Sequence, residues 1–181
     1  MAFRPIWTQA KHGRQRFGWI GFQLFAFATW IPVVSMFNHH VGELVWIHGP
    51  SMYPFLNAEK DQTTRRDVVL SYKFNAQYGL RRGMIVTFWS PYDPEAMAVK
   101  RIVGLEGDVV KTRSPHPAST VRVPVGHVWV EGDGGEGFSV DSNDYGPIST
   151  NLIVSKITHV LWPLHRFGRV RWWEFGGNHG T

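Results

Sequence analysis

Residues Phe17 to Phe37 read FGWIGFQLFAFATWIPVVSMF, a run of 21 residues without a charged side chain. As a helix the run is about 31 Å long, close to the ~30 Å hydrocarbon thickness of a bilayer. Trp19 and Trp30 suit an aromatic-rich membrane segment. Gln23 and Pro32 interrupt it, and membrane helices tolerate Pro better than exposed soluble helices do. Arg4, Lys11, Arg14 and Arg16 stand before the run with no acid among them, and the next Lys or Arg is Lys60. The positive-inside rule then leaves the basic segment 1–16 on the cytosolic or matrix side and carries the remainder across. A buried core helix and a cleaved secretory signal are the competing readings. The run exceeds a usual signal h-region and no A-x-A site follows it. A retained transmembrane anchor over 17–37, with the lipid bilayer as its partner, is the expectation.

The rest of the chain must fold in water. At 181 residues there is room for one domain beside the anchor. Hydrophobic residues make up 43% and charged ones 18%, enough to bury a core. Short apolar runs broken by turn residues predict strands at Val68–Lys73, Met84–Trp89, Ala98–Val103, Val109–Thr112, Val128–Glu131 and Ile153–Leu161. Arg82-Gly83, Ser90-Pro91, Glu106-Gly107-Asp108, Gly132 to Gly137 and Gly146-Pro147 supply the turns. The expectation is a mainly β domain over 41–168. A basic, aromatic, Gly-rich tail over 169–181 follows, and Asn57 to Arg66 reads as a surface loop. With no cysteine, disulfides, thiolate metal sites and a cysteine nucleophile are excluded. The net charge of +5 lies partly before the anchor and partly in the tail. No basic run with interleaved aromatics stands out, so the charge reads as membrane-related, with no nucleic-acid partner.

Three segments can carry chemistry. The first is His48-Gly49-Pro50-Ser51-Met52-Tyr53-Pro54-Phe55-Leu56. A serine between two prolines sits in a stiff loop that can expose a hydroxyl and aim backbone N–H groups at a developing oxyanion. Gly-Pro-Ser is equally an ordinary turn.

The second segment is Ala98-Val99-Lys100-Arg101-Ile102-Val103-Gly104-Leu105-Glu106-Gly107-Asp108. On a strand, Ala98, Lys100 and Ile102 share one face, and Val99, Arg101 and Val103 the other. Strand lysines are usually solvated edge residues. One flanked by apolar neighbours is a candidate for burial, which lowers its pKa. A fall from about 10.4 to about 8 requires roughly 3 kcal/mol of differential solvation. The neutral amine can then take a proton from a serine.

The third segment is Gly132-Asp133, then Ser139-Val140-Asp141-Ser142-Asn143-Asp144-Tyr145-Gly146-Pro147-Ile148-Ser149. Small polar residues at this density form turns with local hydrogen bonds. Ser139 is also placed to bond the lysine, and Asp141 to pair with Arg101.

In this order after an anchor, the three segments resemble the signal peptidase I family of serine–lysine proteases. That family carries S-M-x-P, K-R-x-x-G-x-x-G-D and S-x-D-S motifs. The resemblance implies Ser51 as nucleophile and Lys100 as general base, with Ser139, Asp141 and Arg101 in support and Met52 beside the nucleophile. Gly49 stands where some bacterial members place an oxyanion serine. Gly132-Asp133-Gly134 replaces a common Gly-Asp-Asn, and Phe55 a common Thr.

Asp141-Ser142-Asn143, Tyr145-Gly146-Pro147-Ile148-Ser149 and Trp162-Pro163-Leu164 resemble the family's mitochondrial inner-membrane branch, particularly fungal forms. The implied fold is mainly β, of antiparallel sheets in a signal-peptidase-like arrangement, with one N-terminal transmembrane helix. The implied activity is a serine endopeptidase that removes sorting peptides from precursors bound for the intermembrane space. The implied partner is subunit 1 of the inner membrane protease, in a heterodimer. No cofactor and no metal is expected. Two alternatives are a signal peptidase of another membrane system and a non-catalytic anchored β subunit supporting a partner protease.

The nine histidines offer the other route to a serine base. His48 and His127 lack a convincing carboxylate partner in sequence. The adjacent His39 and His40 point different ways and make a poor metal pair.

Overall fold

A computed structural model describes residues 10–57, 66–134, 137 and 139–174, in two compact units that meet between His40 and Val41. The first described unit is a single helix, α1, Ala10–His40. Its stretch Trp19–His40 is the one helix among the described residues long and apolar enough to cross a membrane. Apolar side chains cover it on every side: Phe22 is 68% exposed, Phe25 69%, Phe27 73% and Ile31 67%. A helix apolar all round belongs in lipid rather than against a soluble core. Pro32 stands inside it. The missing Pro N–H leaves the Ala28 carbonyl without its helical donor, a defect membrane helices accommodate.

Among the described residues, the second unit is built on ten strands. These are β1 (Gly42–Trp46), β2 (Val68–Tyr72), β3 (Ile85–Trp89), β4 (Met97–Gly104), β5 (Val109–Lys111), β6 (Thr120–Arg122), β7 (His127–Glu131), β8 (Ile148–Ser149), β9 (Ile153–Trp162) and β10 (Gly168–Arg169). One sheet runs β1-β2-β9-β3-β4-β7-β8, with β10 added beside β9, and β5 and β6 form a separate ribbon. Every pairing is antiparallel. A short helix, α2 (Ser142–Tyr145), connects β7 to β8.

All six expected strands are present, with ends shifted by a residue or so. The strands not anticipated, β1, β6, β8 and β10, are short or begin at Gly. Pairing rather than intrinsic pattern makes them strands.

The sheet is packed on both faces, as its register shows. Val86 opposes Lys100 and Phe88 opposes Ala98, so these share a face with Ile102. That face is buried with Val128, Val130, Ile148 and Ile153. Ile85 opposes Arg101 and Thr87 opposes Val99 on the other face. There Ile85 packs with Ile47, Met52, Leu56, Val69, Ile157, Val160 and Val170. Three buried hydroxyls cross this second face: Ser155 bonds both Ser71 and Thr87, so none is left unpaired.

The packed chain continues past Gly168. Val170 is 3% exposed and Trp172 lies against the same core. Residues 175–181 of the expected tail and 58–65 of the expected surface loop lie outside the described residues. Asn57, read as part of that loop, is buried.

Candidate active site

Strand β4 sets the centre. Its alternation turns Lys100 to one face and Arg101 to the other, and both are buried, at 4% and 5% exposure. The Lys100 amine donates to Ser139 Oγ at 2.8 Å. Burial pushes the amine below the ordinary lysine range, against the opposing pull of Asp141, Asp144 and Asp133.

On the other face, Arg101 forks onto Asp133, with Nε to Oδ1 at 2.9 Å and Nη2 to Oδ2 at 2.6 Å. Its Nη1 donates to the Gly83 carbonyl, and its guanidinium lies 4.6 Å from the Phe55 ring centre. The expected pairing of Arg101 with Asp141 is therefore corrected. Two residues on opposite strand faces do not share one support, and the nearby turn presents Asp133 to the guanidinium instead.

Asp141 works locally. Its Oδ2 accepts from the Gly132 amide at 3.0 Å and from Ser139 Oγ at 3.3 Å. Its Oδ1 caps α2 by accepting from the Asn143 amide at 3.0 Å. The carboxylate thus fixes both Ser139, which touches the amine, and Gly132. Behind it, Asn143 Nδ2 donates to Asp141 Oδ1 and to the buried Glu131, which also takes the Trp129 indole N–H and a salt bridge from Arg113.

Gly132 connects this cluster to Ser51. In the β4–β7 ladder Arg101 opposes Glu131, so the next step along the register brings Gly132 opposite Lys100 on the same face. A side chain at Gly132 would begin 2.1 Å from Ser139 Oγ and 2.6 Å from the Ser51 carbonyl oxygen. The space a Cβ would occupy is therefore where the serine loop and the lysine's partner meet. The Ser51 carbonyl is further held by the Gly134 amide at 3.0 Å.

The loop itself is anchored from below. Met52, 1% exposed, and Leu56, fully buried, sink into the core, leaving Ser51 half-buried above them. Tyr53 N bonds the Pro50 carbonyl, and Leu56 N the Met52 carbonyl at 2.7 Å. Gly49 has φ +84°, a conformation glycine adopts without strain. The amides of Ser51 and Met52 spend no hydrogen bond among the described residues. Nor does a hydrogen bond join Ser51 to Lys100 among them; the amine donates to Ser139 instead. His48, nearest to Ser51 in sequence, turns its Nδ1 to the Trp46 carbonyl at 2.7 Å.

The sequence profile of the family described as "Signal peptidase, peptidase S26" matches residues 18–116. This span covers more than half of the chain and includes both Ser51 and Lys100. The chain belongs to the signal peptidase S26 family. It is therefore a peptidase, and its amino-terminal span makes it a membrane-anchored one.

Among curated relatives, "Mitochondrial inner membrane protease subunit 2" of Schizosaccharomyces pombe is 45% identical over 148 residues, covering 81% of this chain and 79% of the relative. The Saccharomyces cerevisiae protein of the same name is 38% identical over 142 residues, covering 77% and 79%. "Mitochondrial inner membrane protease subunit 1" of Homo sapiens is 42% identical over 135 residues, covering 73% and 76%.

Of the residues that shape the site, the motifs pointed to Ser51, Met52, Lys100, Arg101, Ser139, Asp141 and Gly49. Gly132 and Asp133 stand in the third segment without an individual role, and Glu131 and Asn57 have no assigned part in the site. Gly132 gave one usable signal, a glycine directly after a strand and before an acid. The others become visible only when distant segments meet.

Proposed function

We propose that this S26 peptidase cuts sorting peptides from precursor proteins with a serine–lysine pair, Ser51 as nucleophile and Lys100 as general base. The observation that carries the reading is the burial of Lys100 beside Ser139, opposite Gly132, whose vacant side-chain position Ser51 and Ser139 share. Desolvation favours the neutral amine, and a neutral amine has the lone pair a serine proton requires.

The amine takes the Ser51 proton as Oγ attacks the scissile carbonyl, and returns it to the leaving nitrogen. Backbone N–H groups of Ser51 and Met52 receive the oxyanion. The same amine then activates water to hydrolyse the acyl-enzyme. Ser139 and Asp141 keep the amine on its heading, and substrate binding tightens the contact between Ser51 and Lys100. An extended peptide adds as a strand beside the site, reading alternate small side chains.

The protein acts in the mitochondrial inner membrane. We place its catalytic domain in the intermembrane space, in a heterodimer with subunit 1 of the same protease.

The test replaces the chain by its Ser51→Ala and Lys100→Met variants and follows precursor cleavage in isolated membranes. Loss of about 10³-fold or more on this subunit's substrates is expected, since removing a nucleophile or its base costs that much or more. Undiminished processing of every substrate by the Ser51→Ala variant contradicts the reading. It favours a supporting, non-catalytic subunit.

A further inference from the structure

The serine loop is held at both shoulders by a buried polar clamp with no part in proton transfer. Asn57, 5% exposed and at φ +56°, sends its Nδ2 back to the Ile47 carbonyl at 3.0 Å and the Gly49 carbonyl at 3.3 Å. Its Oδ1 accepts from the Asp67 amide at 3.0 Å, and its own amide donates to Asp67 Oδ2 at 2.9 Å. Asn57 and Asp67 thus close a reciprocal pair across the intervening segment and fasten the loop's entry.

Asp67 is a carboxylate at 4% exposure and needs a cation. It takes one from the far end of the chain: Arg166 Nη1 lies 2.6 Å from Asp67 Oδ2. The second arm of that guanidinium, Nη2, donates to the Phe55 carbonyl, four residues past Ser51. One planar fork therefore ties the loop's exit to the carboxylate that fastens its entry. Arg166 is delivered by a short 3-10 turn, Leu164–Arg166, and by the return of the chain as β10 along β9. Val170 seals that return in the core, its amide on the Thr158 carbonyl at 2.8 Å.

We propose that Arg166 is a positioning residue for the nucleophile: through Asp67 and Phe55 it sets the loop that presents Ser51 to Lys100. The proposal rests on the catalytic reading of Ser51. Arg166 touches neither reacting group, so its removal shifts the reacting serine without removing any chemistry. Misplacement by about 1 Å costs on the order of 10²-fold in rate.

The experiment uses the full-length chain in membranes with its natural partner subunit. It measures kcat and KM for a precursor peptide on the wild-type, Arg166→Ala, Arg166→Lys and Ser51→Ala forms. Arg166→Ala is expected to lower kcat about 10²-fold with KM within about twofold, since the loss lies in approach to the transition state. Guanidinium ion at low millimolar concentration should recover at least tenfold of the Arg166→Ala rate. Arg166→Lys, which supplies charge but no fork, should stay within a few-fold of Ala.

Melting of each variant is followed in parallel, and Arg166→Lys is the second reading should Arg166→Ala not assemble. An unchanged kcat in Arg166→Ala overturns the proposal. So does full activity in Arg166→Lys, or a loss that tracks melting and ignores guanidinium. If Ser51→Ala still cleaves, the catalytic reading itself has failed. If Ser51→Ala is inert while both Arg166 variants are fully active, the positioning role alone has failed.

Discussion

Gly132 is needed for the volume it leaves empty. A methyl group there starts 2.1 Å from Ser139 Oγ, well inside contact distance, and 2.6 Å from the Ser51 backbone. Ser139 can rotate away only by giving up the Lys100 amine, and the Ser51 carbonyl is held by Gly134. Gly132→Ala should therefore lower kcat by about 10²-fold or more while the domain still folds, as cleavage kinetics beside circular dichroism will show.

Lys100 makes a second residue-level prediction. Its folded pKa is depressed by burial, so the folded state binds fewer protons than the unfolded chain across the window between the depressed value and the ordinary one near 10.4. Stability from this group rises with pH through that window, and below it the buried ammonium is a constant cost. Lys100→Met removes the cost. The variant should be inactive yet melt a few degrees higher near pH 7, with the gain shrinking as pH approaches the ordinary lysine pKa. A lower Tm at pH 7 would argue against a desolvated amine.

Among the elements, β4 carries most of the site, because a single strand turns one cation to each face of a sheet covered on both sides. Its second cation anchors structure. Arg101, at 7% side-chain exposure, is forked onto Asp133 at 19%. Asp133→Ala takes the carboxylate away from a buried guanidinium and should cost about 3 kcal/mol in denaturant unfolding. Arg82→Ala breaks the Arg82–Asp108 pair, whose arginine is 54% exposed, and should cost under about 1 kcal/mol. Equal losses in the two variants would show that burial does not separate these pairs.

The alternation of Lys100 and Arg101 was readable because period two is a property of any strand. The partner of Arg101 was not. Asp141 and Asp133 both follow β4 at a distance in sequence, and only the turn after β7 decides which carboxylate reaches which face. The same holds for β10 and for Asn57. The return strand has no apolar run of its own, and Asn57 begins a polar stretch of sequence while its own burial goes with bonds to the distant Asp67, which Arg166 pairs in turn. The anchor needed no partner at all, so composition alone disclosed it.

For the whole molecule, one chain carries both a membrane-spanning helix and a β domain, so the peptidase is tethered to the membrane. At that scale the proposed mechanism turns on proton affinity, with the Lys100 amine uncharged when its substrate arrives. The most direct test is the pH dependence of kcat/KM for the membrane-bound protease, on a substrate whose cleavage the Ser51→Ala variant abolishes. The account predicts a rate that climbs with pH through a single ionisation below the ordinary lysine value of about 10.4, then levels off. A rate that climbs only at or above that ordinary value, or falls as the amine loses its proton, would contradict it.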